Sequence, residues 1–142
     1  KGHVSGPELV GQTTAQDLGF GGMMSKKKDF IGRVLAGRAA LIDANRPSLV
    51  GLRPVLSGDR FSSGAQFLPV GSTPVADNNL GYITSVAYSP HVGSWIGLGL
   101  ISGGSARLGE KIRAYDPVRN KDTLVEIVSP VFIDPKGARL RA

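Results

Sequence analysis

A chain of 142 residues, 41% hydrophobic and 20% charged, has the apolar side chains to bury a core and too few charges to be a disordered tail. It contains no cysteine, which excludes disulfides and thiolate metal sites, and no apolar run near the roughly 20 residues of a membrane-spanning helix. The net charge of +6 raises nucleic acid as a partner, but the cations are dispersed, and five Phe, three Tyr and one Trp offer few rings for base stacking, so nucleic acid is disfavoured.

Residues 1–28 read as an irregular lead-in. The chain opens with neither methionine nor a signal-peptide pattern and reads as processed, or as a piece of something longer. Thr14-Ala15-Gln16-Asp17 has the spacing of a capping box and predicts a helical turn near 15–18. Leu18 to Met24 is too glycine-rich for a stable helix. Asp29 is the expected N-cap of a helix of two to three turns, with Phe30, Ile31, Val34 and Leu35 on one face and Gly32 and Gly37 weakening it.

After Asn45-Arg46-Pro47-Ser48 the apolar period changes from helical to alternating. Leu49, Val50, Leu52, Val55 and Leu56 predict a first strand, in which Pro54 argues for an edge or a bulge. Phe67, Leu68 and Val70 predict a second. Residues 81–101 predict a hairpin turning at 89–93, with Tyr82, Thr84, Val86 and Tyr88 on one face and Ile96, Leu98 and Leu100 on one face of its partner. Trp95 opens that partner strand and is expected to cover one barrel end rather than to stack on a ligand. A last hairpin joins Lys111–Tyr115 to Thr123–Val128, and the tail, with Pro130 and Pro135, is expected to be extended. The fold class is therefore mainly β: a small antiparallel barrel of about six strands over 46–142, after a lead-in with a short helix over 1–45.

Chemistry is sparse. His3 falls in the lead-in and His91 in a hairpin loop, and neither has a partner at metal-ligand spacing. No Gly-x-Ser-x-Gly elbow occurs. Gly97, Gly99, Gly103 and Gly104 lie in and just after a strand, which points to close packing rather than a phosphate loop. Lys26-Lys27-Lys28 reads as a solvated face, although lysines before a helix oppose its dipole. No segment gathers the paired acids of general acid–base catalysis. The residues alone give a β domain with no visible active site.

Three stretches together resemble one family. Asp-Leu-Gly-Phe-Gly at 17–21 and Lys-Lys-Lys-Asp-Phe-Ile-Gly at 26–32 are similar to the segment leading into the last domain of glycine-cleavage T-proteins. Gly-Tyr-Ile-Thr-Ser at 81–85, Tyr-Ser-Pro at 88–90 and Ile-Gly-Leu-Gly-Leu-Ile at 96–101 look like that domain's central hairpin. Pro-Val-Phe-Ile-Asp-Pro-Lys-Gly-Ala-Arg-Leu at 130–140 resembles the C-terminal tail of sarcosine oxidase α subunits, within the same folate-binding, aminomethyltransferase-like family.

The resemblance implies a domain that helps enclose tetrahydrofolate together with upstream segments. The folate captures the one-carbon unit from oxidative demethylation of sarcosine, giving glycine and 5,10-methylenetetrahydrofolate. FAD, FMN and NAD belong to other parts of the parent complex and are not bound by this chain. The implied partners are the other subunits of a heterotetrameric oxidase and the upstream part of its own subunit, in the cytoplasm and without a membrane. The family's acidic folate ligand, key arginine and catalytic aspartate lie upstream of Lys1. Many relatives carry an aromatic where this chain has Gly22, and no tyrosine occurs around Asp134 to Gly137, where T-proteins place one. No catalytic residue or metal ligand is therefore assigned, and the chain alone is expected to be inactive. Gly22, Asp134 and Lys136 are expected near the folate side. The alternatives are an aminomethyltransferase of glycine cleavage and a non-enzymatic basic β-barrel binding module.

Overall fold

The computed structural model describes residues 6–139 and 141. Six strands close into an antiparallel barrel: β1 (Pro47–Pro54), β2 (Gln66–Leu68), β3 (Gly81–Ser89), β4 (Ser94–Ser102), β5 (Lys111–Asp116) and β6 (Lys121–Val128). Their order around the barrel is β1-β4-β3-β2-β5-β6. Helix is confined to single turns, among them α1 (Arg33–Ala36) and α2 (Ala39–Ile42). The mainly β barrel read from the sequence is the fold.

Strict alternation builds the last hairpin. Ile112 and Ala114 of β5 and Thr123, Val125 and Ile127 of β6 are buried, and the residues between them are not. These inward residues meet Val50, Leu52, Phe61, Phe67, Ile83 and Ile101 in one core. β4 contributes space instead of bulk. A Cβ on Gly97 would sit 2.6 Å from Phe61 Cε2, and one on Gly99 2.6 Å from Phe67 Cζ. Two glycines thus make room for two rings in a narrow barrel.

Pro54 closes β1. The ladder to β4 ends at Leu52↔Gly97, whereas Pro54 still pairs with Val125 of β6. The proline, which lacks an N–H, falls where only one neighbour remains. The tail crosses outside β1, and Gly51 permits the approach: a Cβ there would lie 2.9 Å from Phe132 Cζ.

Two local expectations are corrected. The register of β3 slips between Ile83 and Ser85, and the extra residue, Thr84, is buried beside Ile83. Thr84 Oγ1 donates to the Leu98 carbonyl at 3.1 Å, and Ser63 donates to the Thr84 carbonyl at 2.9 Å. The bulge splits the predicted Tyr82–Tyr88 face, so Ile83 belongs to the core and Val86 packs against it. The expected helix from Asp29 is also replaced by two turns. Gly32, with φ of +92°, caps α1 without a side-chain hydrogen bond, and Asp29 instead accepts from Arg33 at 2.8 Å. Ile31 is fully exposed and Val34 is 84% exposed. An apolar stripe with nothing to pack on gains no burial energy, and one helical turn cannot offset its own nucleation.

Candidate functional site

The lead-in folds against the outer wall of the barrel, and a cleft lies between them. The capping box forms as its spacing predicts: Thr14 N donates to Asp17 Oδ2 at 2.9 Å, and Asp17 N donates to Thr14 Oγ1 at 3.2 Å. The Asp17 carbonyl then accepts from Leu49 N at 2.7 Å, tying this turn to β1. Arg46, one residue ahead of β1, completes the attachment. Its Nη2 meets Asp17 Oδ2 at 2.7 Å and its Nε meets Oδ1 at 3.2 Å. The same guanidinium donates to the carbonyls of Gln12 at 2.5 Å and Ala40 at 3.3 Å. One arginine fastens the turn, α2 and the start of β1.

Burial pushes the Asp17 carboxyl up, but hydrogen bonds from Arg46 and Thr14 outweigh it and hold the group below its ordinary value. The hydrogen bond to Asp17 raises Arg46 in turn. The pair is ionised at neutral pH, and its donors and acceptors serve each other and the backbone.

The cleft holds about 560 Å³, within the range of small-molecule pockets. Val10, Leu41, Pro47, Tyr82 and Leu100 give it apolar walls, and Asp17 and Arg46 also line it. The Tyr82 hydroxyl donates to the Pro7 carbonyl at 2.9 Å, holding the lead-in over the wall. Such a surface suits a flat, mostly apolar group. It presents no nucleophile beside a base, and no cluster of three or more His, Cys, Asp or Glu occurs among the described residues.

The residues singled out from the sequence lie elsewhere. Gly22 sits in an exposed 3₁₀ turn, Gly21–Met23, with nothing within 4 Å of a Cβ built on it. Asp134 adopts a φ of +45°, and its carboxylate accepts from the amides of Ala138 at 2.7 Å and Arg139 at 3.0 Å. Its part in this structure is to shape the turn of the tail. Lys136 is exposed, and its carbonyl accepts from Arg141. None of the three lines the cleft. His91 is exposed in its hairpin loop, and His3 lies outside the described residues. Sequence reasoning found Asp17 through its capping box but missed Arg46 and Tyr82, because partners 29 and 75 residues apart leave no local pattern.

Residues 48–134 match the family of the glycine cleavage T-protein C-terminal barrel domain. The chain is 41% identical over 141 residues to sarcosine oxidase subunit alpha of Rhizobium meliloti (strain 1021), covering 99% of this chain and 14% of that subunit. It is 32% identical to the same subunit of Corynebacterium sp. (strain U-96), covering 96% and 14%. In structure it is similar to the glycine cleavage system aminomethyltransferase T from Bartonella henselae, with a TM-score of 0.59 over 83% of this chain and 31% of that one. At 19% identity that likeness concerns the fold alone. The chain spans 14% of the length of the sarcosine oxidase subunits it matches.

Proposed function

Since the chain belongs to the family of the glycine cleavage T-protein C-terminal barrel domain, we propose that it is the barrel-bearing region of a sarcosine oxidase α-subunit-like protein. In that role it helps tetrahydrofolate capture the one-carbon unit of sarcosine, yielding glycine and 5,10-methylenetetrahydrofolate. The observation that carries this reading is 41% identity to a sarcosine oxidase α subunit along 99% of the chain. The oxidation itself, with FAD, FMN and NAD, falls to other parts of a cytoplasmic heterotetramer. Residues 1–45 belong in this reading to the preceding folate-binding domain and 46–142 to the barrel unit, with Gly22, Asp134 and Lys136 facing the folate side.

In this reading the described residues hold only part of the folate pocket. A pterin edge needs fixed donors and acceptors, and the acid–arginine pair at the cleft, Asp17 and Arg46, is committed to itself and to backbone carbonyls. The remaining groups come from the rest of the parent protein. Exposed apolar side chains cluster in the lead-in, where Met23 is 82%, Val34 84% and Leu35 50% exposed, beside the exposed lysines 26–28. A face of this kind is expected on a segment that packs inside a larger subunit. The isolated chain should self-associate through it. Sedimentation velocity should show mass rising with concentration, and Ile31→Glu with Val34→Glu should suppress the rise. Association unaffected by the pair of substitutions would place it elsewhere.

Calorimetric titration of the chain alone with tetrahydrofolate should give weak binding or none, because a partial pocket orders the ligand while matching few of its polar groups. Sub-micromolar, stoichiometric binding would mean that the pocket is complete here. In the parent protein, Arg46→Ala should shift the one-carbon product from methylenetetrahydrofolate towards formaldehyde, with sarcosine oxidation retained. An unchanged product ratio counts against a part for this region in folate capture.

A further inference from the structure

The barrel has a second cavity, at the end away from the lead-in. Three connections meet there: residues 55–65 between β1 and β2, 90–93 between β3 and β4, and 117–120 between β5 and β6. Beside the first and the last of these lies a cleft of about 440 Å³, lined by Arg60, Phe61, Ser62, Ser63, Val86, Trp95, Arg119 and Lys121. Three of these eight side chains are cationic.

Six described arginines meet a carboxylate: Arg33, Arg46, Arg53, Arg107, Arg113 and Arg119. Arg60 and Lys121 make no ion pair among the described residues. Arg60 is nevertheless fixed, its guanidinium carbon 4.6 Å from the centre of the Trp95 ring. Tyr88 meets the same ring edge to face, with centroids 5.7 Å apart, and Trp95 packs on the core. A guanidinium held over an indole face can still donate its N–H groups to a planar or tetrahedral oxyanion.

Two of the carboxylates nearby are committed to other partners. Asp116 is buried and committed: one oxygen accepts from the amides of Val118 at 3.0 Å and Arg119 at 3.1 Å, the other from Arg119 Nη1 at 2.9 Å. Asp122 pairs with Arg113. Asp59, next to Arg60 in the chain, makes no ion pair among the described residues, and its charge offsets part of the three cations.

From the cavity, the unpaired cations and the stacked guanidinium, we propose that this end of the barrel binds a small multivalent oxyanion, a phosphate or carboxylate group of a soluble molecule. Arg60 and Lys121 supply the charge, Arg119 adds a half-satisfied guanidinium, and the Trp95 ring sets the orientation of Arg60. The site is separate from the lead-in cleft and stands whether or not the folate reading holds.

Trp95 is the only tryptophan in the chain, so its fluorescence reports on this end alone. The 142-residue chain is titrated with pyrophosphate and with citrate at low ionic strength, with sodium chloride at matched ionic strength as reference. A saturable change with either ligand is expected, and the tighter of the two identifies phosphate or carboxylate as the preferred group. Lys121→Gln, at an exposed and unpaired position, and Arg60→Gln should each weaken binding roughly tenfold. Calorimetry repeats the measurement for Arg60→Gln, whose fluorescence baseline differs. The proposal is overturned by a change that chloride reproduces, by the absence of saturation in fluorescence and calorimetry alike, or by affinities that the two substitutions leave intact. A single-stranded oligonucleotide that binds more tightly per phosphate than pyrophosphate also overturns it, in favour of an extended nucleic-acid surface.

Discussion

Gly99→Val should cost the barrel about 3 kcal/mol or more, at the upper end of what overpacking a core produces. The first added atom already collides: a Cβ at 99 would lie 2.6 Å from Phe67 Cζ and 2.9 Å from the Tyr82 carbonyl oxygen. Valine adds two methyl groups beyond it. The backbone cannot retreat, because residue 99 is paired with Val50 on one side and Ile83 on the other in a closed sheet. Phe67 cannot retreat either, since it is fully buried among core residues. Urea denaturation of wild type, Gly99→Val, Phe67→Leu and the double variant separates the two collisions. If the ring is the main obstacle, the double variant loses less than the sum of the single losses. Additive losses would place the strain on the strand backbone at Tyr82 instead.

That glycine also shows which parts of the fold the sequence makes legible. A glycine within an alternating apolar strand reads as close packing, and Gly97 and Gly99 face Phe61 and Phe67. Strict alternation in Lys111–Asp116 and Lys121–Val128 places the last hairpin for the same reason: apart from the buried Asp116 at the turn, each inward residue is apolar or small and each neighbour is polar or half-exposed. The bulge at Thr84 is hidden because threonine suits either face, and only the register with Leu98 reveals the extra residue. The stripe Phe30–Leu35 has helical spacing, yet spacing does not say whether anything packs against it, and here those residues are exposed. The cleft is half legible: Asp17 announces a cap, whereas its more consequential partner stands 29 residues later. Gly22, Asp134 and Lys136 rest on family resemblance, and the structure gives Asp134 a local task in the tail turn.

Asp17→Ala should release the lead-in while leaving the barrel closed. The substitution strands Arg46, whose side chain is only 19% exposed, without its carboxylate. Removing one partner of a buried pair costs about 3–5 kcal/mol, and the carbonyls of Gln12 and Ala40 still receive Arg46, so about 2–3 kcal/mol is expected here. Loss of the cap to Thr14 N contributes within that figure. Hydrogen exchange should quicken at Leu18, Phe20 and Leu49, whose amides close the turn and tie it to β1, and stay slow across β5 and β6. The pH dependence follows from the sign of the shift. The folded carboxyl lies below the ordinary value of about 3.9, so its contribution is fully present above that value and is lost as pH falls through the folded one. The gap between wild type and Asp17→Ala should therefore be constant near neutrality and narrow on acidification. Asp17→Asn, which keeps the shape and removes the charge, should show the same narrowing if the ion pair is responsible. A gap that persists to the lowest pH at which the chain stays folded would assign the attachment to packing of Leu18 and the Asp17 carbonyl rather than to the carboxylate.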